Sequence, residues 1–433
     1  MSTETILPID RQSVANLSQT KQEPEWMTEL RVKGLELAGQ LELPRLEKTR
    51  IDRWNLSTYG EHVQSKPIGS LQELAHVAQE LLAEGNPENV LVQRNSGIVY
   101  GAISQQLADQ GVIFTDLETA LQVHGNLIQT YFMKAVQPDE NRLTALHTAL
   151  WNGGVFLYIP RNLKVEVPLQ ALFLSDDVNA TFSPHVLVVA EENSSVTYVE
   201  NFVSAASGEL VSNSIVEVFV KQGATVRFAS VHNLEEQVTD VVYRRAVIEK
   251  DGRVEWIIGE LNAGNVLSDT TSVLQGSGSS SDAKGICVGK NDQKLNLTTR
   301  AIHIGKRTFS NMVTRAVMKD SSTAIINGVT KIEKGATGAN GQQTEKVLMM
   351  SPKARGDANP ILLIDEDDVK CGHAASVGQV NPEQVHYLMS RGITKKEAHR
   401  LIVYGFLAPV VSQIPIAKLE EQLQRLVERK LEQ

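Results

Sequence analysis

The sequence predicts a mainly β protein, in which a parallel β-helix core lies between an N-terminal region of mixed helices and strands and a C-terminal helical domain. Three observations predict this fold class. Short apolar stretches divided by turn residues fill the middle of the chain, a motif recurs among them at a nearly constant interval, and helical spacing of apolar residues is confined to the two ends. The predicted boundaries are residues 1–150, 151–370 and 371–433.

The N-terminal region is predicted to be mostly helical with a few short strands. Apolar residues at helical spacing, or a capping residue, predict helices over residues 71–82, 117–123 and 143–150. Residues 90–92 and 98–100 flank the turn sequence Asn95-Ser96-Gly97, which is typical of a β-hairpin. A third short strand is predicted over residues 112–114, just before the helix cap Asp116.

The core contains a repeat. Val196, Val226 and Val254 each follow a turn sequence and precede an aromatic residue by two positions, and they lie 30 and 28 residues apart. Repeats of this length are typical of solenoids, in which each coil buries its apolar side by stacking on its neighbours. No helical pattern separates the strands, which argues against a βαβ sheet. A β-sandwich stays open as the alternative, but so long a serial run of strands favours a β-helix.

The C-terminal region is predicted to contain three helices. Asn381 caps the first, with Pro382 at its first position, and Thr394 forms a capping box with Glu397 at the start of the second. The third helix starts at Pro415. Its apolar residues form one stripe, made of Ile416, Leu419, Leu423, Leu426, Val427 and Leu431.

The second of these helices is apolar on every side over residues 401–407. Such a helix is either completely buried or has a face that meets another protein, and the residues alone leave both interpretations open. Gly405 loosens the helix and permits close approach of another backbone.

Composition and charge exclude several classes of protein. The formal net charge of −9 leaves no basic surplus to displace the counterions of a nucleic acid. Two cysteines, Cys287 and Cys371, do not make a disulfide framework and fit a reducing compartment. The sequence has no signal-peptide pattern and no apolar run long enough to span a bilayer, so we expect a cytoplasmic protein.

The common catalytic motifs are missing from the sequence. It contains no phosphate-binding G-x-x-x-x-G-K-[ST], no G-x-S-x-G elbow, no H-E-x-x-H and no C-x-x-C. We therefore expect no nucleotide hydrolysis, no serine hydrolysis and no structural zinc site.

Residues 365–373 combine four acids with Cys371 and His373. Thiolate and imidazole suit soft or borderline metals such as iron, whereas carboxylates suit harder ones. In a strand, Cys371 and His373 would point to the same side, because side chains alternate. Two ligands make only a half-site, so the others would come from elsewhere or from a partner chain. The alternative is a solvated acidic turn beside a packed thiol and a hydrogen-bonded imidazole.

The other histidines and Cys287 carry less information. His147 lies in an apolar helix and is predicted to be a hydrogen-bonded core residue. His303 alternates with Ile302 and Ile304, which predicts an exposed imidazole. Cys287 has apolar neighbours and is predicted to be a packing thiol.

A long motif begins at Pro360 with PILLIDEDDVKCGHAASVGQ and continues with YLMSRGI from Tyr387 and with Gly405-Phe406. Residues 143–160 and 23–26 extend the pattern over nearly the full chain. These residues resemble the SufB/SufD family of the SUF iron–sulfur cluster assembly machinery.

The resemblance implies a right-handed parallel β-helix between helical ends, and a scaffold subunit rather than an enzyme. It also implies a heterodimer with a SufB-type protein, and a SufC-type ABC ATPase that binds the C-terminal helices and supplies nucleotide hydrolysis. The residues that match this ATPase-binding region are Tyr387, Arg391, Gly392, Leu401, Gly405 and Phe406.

For metal chemistry, the resemblance implies that His373 lies at the interface with the SufB-type partner, where the nascent cluster forms, and that Cys371 is a nearby thiol. It implies no cofactor held stably by the chain alone, because iron or an iron–sulfur cluster is transient at that interface. It leaves room for a reduced flavin in the assembled complex and for a homodimer of the isolated chain.

Within the family, the chain resembles the SufD branch more than the SufB branch. SufB-type proteins carry a cluster-building cysteine a few residues before the position of Pro360, where this chain has Ala354-Arg355-Gly356. A SufB-like scaffold paralogue is the alternative within the family. A β-helix carbohydrate-active enzyme is the alternative outside it, although such enzymes use acids spread along a groove, and here the acids cluster after the solenoid.

Overall fold

Strands dominate the middle of the chain and helices its two ends in the computed structural model, which describes residues 9–63, 65–74, 78–79, 88–205, 208–411 and 417–432. The strands are β1 (Val90–Arg94), β2 (Gly97–Ala102), β3 (Ile113–Asp116), β4 (Gly154–Ile159), β5 (Leu169–Ser175), β6 (His185–Ala190), β7 (Ser195–Ser204), β8 (Leu210–Val220), β9 (Thr225–Asn233), β10 (Val238–Ile248), β11 (Arg253–Glu260), β12 (Val266–Leu274), β13 (Ser280–Gly289), β14 (Lys294–His303), β15 (Phe309–Met318), β16 (Thr323–Ile332), β17 (Asn340–Met349), β18 (Arg355–Ile364) and β19 (Lys370–Gln379). The helices are α1 (Arg11–Thr20), α2 (Glu25–Gln40), α3 (Gln105–Asp109), α4 (Leu117–Val123), α5 (Gly125–Tyr131), α6 (Arg142–Leu150), α7 (Pro382–Ser390), α8 (Lys395–Val411) and α9 (Ala417–Glu432).

The strands form two sheets that enclose one interior. One sheet has the order β19-β17-β15-β13-β11-β9-β7-β5-β1-β2, and the other has the order β18-β16-β14-β12-β10-β8-β6-β4-β3. From β4 onward, successive strands alternate between the two sheets, and neighbours within a sheet are parallel. Each turn therefore contributes one strand to each sheet. This arrangement confirms the predicted β-helix and excludes the β-sandwich, whose sheets are antiparallel.

The sequence repeat coincides with the turns of this solenoid. Val196 pairs with Val226, and Val226 pairs with Val254, so the offsets of 30 and 28 residues each equal one turn. The aromatic residues two positions further along also contact one another from turn to turn, with 5.1 Å between the centroids of successive tilted rings. Asn193 and Gly223 adopt positive φ values of 58° and 68° in the turns that precede these strands. The turn residues thus set the path of the chain, and the repeating apolar residues fill the interior.

The N-terminal region closes the first turns of the solenoid. The predicted hairpin is present, since β1 and β2 are antiparallel, and β1 also extends the sheet beside β5. The predicted third strand, β3, is antiparallel to β4 at the end of the other sheet. Asp116 caps α4 by accepting a hydrogen bond from the backbone N–H of Thr119 at 2.8 Å. In the helix predicted over residues 71–82, Leu71–Glu73 forms a 3-10 turn, and residues 75–77 and 80–82 lie outside the described part of the chain.

The C-terminal helices pack against the sheet that ends in β19. Buried Val403 of α8 and Leu423 of α9 form an apolar cluster with Val231 and Ile257 of β9 and β11. Asn381 caps α7 as predicted, accepting the N–H of Glu383 at 2.9 Å. The predicted start of the third helix, at Pro415, lies outside the described residues. No helix in the described part of the chain is both long and apolar enough to cross a bilayer.

The solenoid continues past the boundary at residue 370 that the sequence predicts. β19 begins there and runs to Gln379, in register with β17, and the helices begin only at Pro382. Cys371 and His373 are therefore strand residues of the last turn. This places both candidate ligands on the solenoid itself.

Candidate functional site

The C-terminal end of the solenoid is open. β19 pairs with β17 and β18 pairs with β16, and each is the outermost strand of its sheet among the described residues. Apolar side chains are exposed here: Leu363 is 48% exposed, Ile364 41% and Val377 43%. Unpaired strand edges and exposed apolar side chains are both unfavourable in water unless something covers them.

Cys371 and His373 face the interior at this open end. Cys371 pairs with Gly341 and His373 pairs with Gln343, and both partners on β17 are buried. Because side chains alternate along a strand, Cys371 and His373 point to the same side, as the sequence predicts, and this side is the interior face. On the other side of Gln343, its partner on β15 is Met312, which is buried. The interior residue at this position is thus apolar on β15 and polar on β17 and β19.

Cys371 is half-buried and packs against a small apolar cluster of Ile332, Ala336 and Ala339. Burial raises the pKa of its thiol, and hydrogen bonding with the Thr330 side chain acts in the opposite direction. Because the thiolate is the form that binds metals, a thiol with a raised pKa is a weaker ligand. These surroundings fit Cys371 as a supporting residue, whereas the His373 side chain lies exposed at the open end.

Two interior residues near His373 were missed from the sequence, Gln343 and Glu345 on β17. Each is only 2% exposed. Thr330 donates a hydrogen bond to Oε1 of Gln343 at 3.3 Å, but Nε2 of Gln343 and Oε2 of Glu345 have no hydrogen-bond partner among the described residues. Burial raises the pKa of the Glu345 carboxyl to about 7. The only sequence signal is the repeat itself, because Gln343 precedes His373 by 30 residues.

The acidic turn before β19 binds the loop beside it. Glu366 accepts hydrogen bonds from the backbone N–H of Gly335 at 2.8 Å and of Asp367 at 3.0 Å. Lys334 lies 3.9 Å from carboxylate oxygens of both Glu366 and Asp367. The carboxylate of Glu366 is thus used to hold the loop at residues 334 and 335.

A second group of possible metal ligands lies deep in the solenoid. His232, Asp240 and Glu260 are buried within 4.8 Å of one another. The guanidinium of Arg244 already lies among them, with one nitrogen 2.8 Å from Nε2 of His232 and another 3.0 Å from Glu260. A cation of the chain itself thus already occupies the space between these side chains, although Oδ1 of Asp240 and Oε2 of Glu260 have no hydrogen-bond partner among the described residues.

His303 is not exposed, and that prediction is wrong. Its imidazole is fully buried, with hydrogen bonds to Thr308 at 2.8 Å and Ser310 at 2.9 Å, and burial lowers its pKa to about 4. His147 and Cys287 are buried as predicted. His147 contacts the carbonyl of Asn213 at 2.8 Å.

The residues predicted to bind an ATPase divide into two groups. Tyr387 (58% exposed) and Leu401 (43% exposed) face away from the solenoid, and a Cβ at Gly405 would meet no neighbouring atom. Phe406 instead packs against the solenoid, where its carbonyl accepts a hydrogen bond from Arg315 and its ring lies 5.3 Å from that guanidinium. α8 is therefore neither wholly buried nor wholly exposed.

Arg391 and Gly392 end the helix that carries Tyr387. Arg391 donates a hydrogen bond to the Tyr387 hydroxyl at 3.2 Å and lies 5.2 Å from the centre of its ring. Gly392 follows with a positive φ of 86°, which favours glycine after the last turn of a helix. Gly392 thus shapes the bend between α7 and α8.

Comparison with known proteins gives consistent results. Residues 173–406 match the family model "SUF system FeS cluster assembly, SufBD core domain", and residues 88–171 match "SufBD protein N-terminal region". The chain is 46% identical to the iron–sulfur cluster assembly protein SufD of Bacillus subtilis, over 100% of both chains. It is 28% identical to SufB of the same organism, over 98% of this chain and 93% of that one. A SufBD family protein of Staphylococcus epidermidis is 29% identical, over 97% and 92%.

The fold and the comparisons agree. The residues that match the core domain run from β5 through the rest of the solenoid into α8, and those that match the N-terminal region run from just before β1 into β5. The chain belongs to the SufBD family, whose members act in iron–sulfur cluster assembly.

Proposed function

We propose that the chain is a SufD-type scaffold subunit, which pairs with a SufB-type chain and supports iron acquisition and cluster assembly at their interface. The open end of the solenoid is the observation that carries this proposal. There, β18 and β19 are the outermost strands of their sheets among the described residues, and they carry exposed Leu363, Ile364, Val377 and His373. The chain is more similar to SufD of Bacillus subtilis than to SufB of that organism, which supports a place in the SufD branch of the family.

Pairing at the open end follows from the asymmetry of the solenoid. The first turns end in antiparallel strands, β2 and β3, and in N-terminal helices. The last turn ends in β18 and β19, which carry free edges and exposed apolar residues. A second solenoid of similar cross-section could continue both sheets, since its own last strands would meet these edges. A SufB-type chain is the partner that the family suggests.

His373 would then lie at the boundary between the two chains. An imidazole is a good ligand for iron, and a single histidine needs further ligands to hold the metal. We assign those to the partner and to this chain's interior, and we treat iron and the cluster as cargo. The raised pKa of Cys371 supports a secondary role for that thiol.

The C-terminal helices offer a separate surface for the SufC-type ATPase. Tyr387, Met389 and Leu401 are exposed apolar residues on α7 and α8. A groove beside Leu401, between α8 and α9, runs past Gly405 and Glu420. Exposed apolar side chains concentrated on two neighbouring helices are typical of an interface. Nucleotide hydrolysis would belong to that partner, since the chain has no phosphate-binding motif.

Coexpression with the SufB- and SufC-type proteins of the same genome tests this proposal. We expect the three chains to copurify, and Val377→Asp to remove the SufB-type chain while the ATPase stays bound. Val167→Asp is the control, because Val167 is 41% exposed and lies far from the open end along the chain. Retention of the SufB-type chain by Val377→Asp, or its equal loss in the control, would contradict pairing at the open end.

A further inference from the structure

Two interior side chains of β17 have polar atoms that nothing else in the described chain uses. Nε2 of Gln343 and Oε2 of Glu345 are buried without hydrogen-bond partners. Buried polar groups in proteins are nearly always paired, so the unpaired carboxylate oxygen of Glu345 is available to a cation. Gln343 would offer its Oε1, which accepts a hydrogen bond from Thr330 at 3.3 Å, because an amide N–H group donates and does not coordinate a metal. A single strand, β19, lies between them and the open end.

We propose that Glu345 and Gln343 bind a ferrous ion together with His373, which makes the last two turns of this chain a three-ligand iron site. The inference rests on the proposed role of His373. Gln343 pairs with His373 on the neighbouring strand, and Glu345 pairs with Ala375. Because Ala375 has only a methyl side chain, no larger side chain at that position covers the carboxylate of Glu345. All four residues share the interior face, because they alternate with outward-facing residues.

The spacing of the strands allows the three side chains to meet. Adjacent parallel strands lie about 4.8 Å apart and each residue advances about 3.3 Å, so the Cα atoms of Gln343 and Glu345 are roughly 5 Å and 8 Å from that of His373. Inward-pointing glutamate, glutamine and histidine side chains span these distances. Imidazole nitrogen with carboxylate and amide oxygen is a ligand set that suits Fe²⁺.

The opposite sheet leaves room for this carboxylate. A Cβ placed on Gly328 of β16 would lie 2.0 Å from Oε1 of Glu345 and 3.1 Å from Oε1 of Gln343. Glycine at this position therefore lets both side chains extend across the interior. A methyl group there would displace the carboxylate and leave its charge intact.

Anaerobic calorimetric titration of the full chain with Fe²⁺ tests the proposal. We expect one Fe²⁺ per chain, and at least tenfold weaker binding for Glu345→Gln, which keeps the shape of the side chain. Gly328→Ala should weaken binding as well, although it leaves all three ligands in place. Asp367→Asn is the control, because this carboxylate is fully exposed in the acidic turn, and its Fe²⁺ affinity should stay within twofold of wild type.

The outcomes separate this inference from the proposed function. If the wild-type chain binds no Fe²⁺, or if Glu345→Gln binds within twofold of wild type, the three-ligand site is wrong. If His373→Ala alone loses binding, the inference fails while the proposed role of His373 stands. If His373→Ala binds Fe²⁺ like wild type, the three-ligand site and the proposed role of His373 as an iron ligand are both wrong. Pairing at the open end is tested independently by copurification.

Discussion

Cys371 and His373 show how two residues on one strand face can differ in chemistry. Both point to the interior of the last turn, but Cys371 packs on apolar neighbours and has a raised thiol pKa, whereas His373 lies exposed at the open end. A thiol that stays protonated mainly fills space, while an accessible imidazole can donate its nitrogen to a metal. Their different exposures therefore suggest different roles.

His373→Ala should leave folding and assembly intact but sharply reduce cluster formation. Loss of an exposed side chain usually changes the free energy of unfolding by about 0.5 kcal/mol or less. Cys371→Ser should do less harm, because serine preserves packing and hydrogen bonding. The measurement is the visible absorption and the iron and sulfide content of the copurified complex. Wild-type cluster content in His373→Ala would rule out the imidazole as a ligand.

Lys430 of α9 is a buried cation whose charge depends on pH. It is 6% exposed, and its Nζ donates hydrogen bonds to the carbonyl of Asn262 and, at 3.4 Å, to Gln293. Burial lowers the pKa of this amine to about 7, nearby Cys287 and Glu260 raise it, and Lys290 lowers it. The ammonium form is thus disfavoured where α9 docks on the solenoid.

Docking of α9 should strengthen as pH rises from about 7 toward 10, because the undocked amine, with an ordinary pKa of about 10.4, binds more protons than the docked one. Below pH 7 both states are protonated, and the dependence disappears. Hydrogen exchange of α9, corrected for intrinsic rates, measures this change in stability. In Lys430→Met the dependence should vanish, and a variant that keeps it would show that another group is responsible.

At the scale of elements, α8 combines an anchoring face and a free face. Val403 and Leu407 are buried against the solenoid and Phe406 is held by Arg315, whereas Leu401 and Gly405 face outward. The sequence shows only that the helix is apolar all round, because helical periodicity does not reveal which side is covered. Burial against the solenoid accounts for one face, and the other face is exposed.

Leu401→Asp should weaken binding of the SufC-type ATPase without unfolding the solenoid. An interface anchor typically contributes about 2 kcal/mol or more to binding. Phe406→Asp should instead release α8 from the solenoid, since Phe406 packs inward. Calorimetric titration of each variant with the ATPase, alongside thermal unfolding, distinguishes the two effects. Val123→Asp is the control, because Val123 is 67% exposed on α4. Unchanged affinity in Leu401→Asp would exclude this face of α8.

The repeat could be read from the sequence because stacking places equivalent residues one turn apart. The sequence did not show as clearly which strand residues face the interior of the solenoid. His303 alternates with two isoleucines, and apolar residues usually face inward, yet Ile304 is 44% exposed and His303 is fully buried. Gln343 and Glu345 also give no local signal, because polar residues are common on strands. Only the register of the turns places them near His373.

For the whole molecule, the two ends of the solenoid differ. The N-terminal end is closed by a hairpin, an antiparallel strand and helices, whereas at the C-terminal end no described strand pairs with the outer edges of β18 and β19, and apolar residues are exposed. A solenoid needs caps at both ends, because its terminal coils otherwise expose apolar faces. Since the part of the chain that the structure describes leaves the C-terminal end uncapped, this end is the feature of the fold that most directly indicates a partner.

Hydrogen–deuterium exchange with and without the SufB-type partner tests this central claim most directly. In the isolated chain, edge amides of β18 and β19 should exchange fast, because unpaired edges open readily. In the complex we expect both strands to become at least about tenfold slower, while α1 and α2 stay unchanged. If the complex forms and the amides of β18 and β19 exchange as fast as before, with protection appearing elsewhere, the open end is not where the two chains meet.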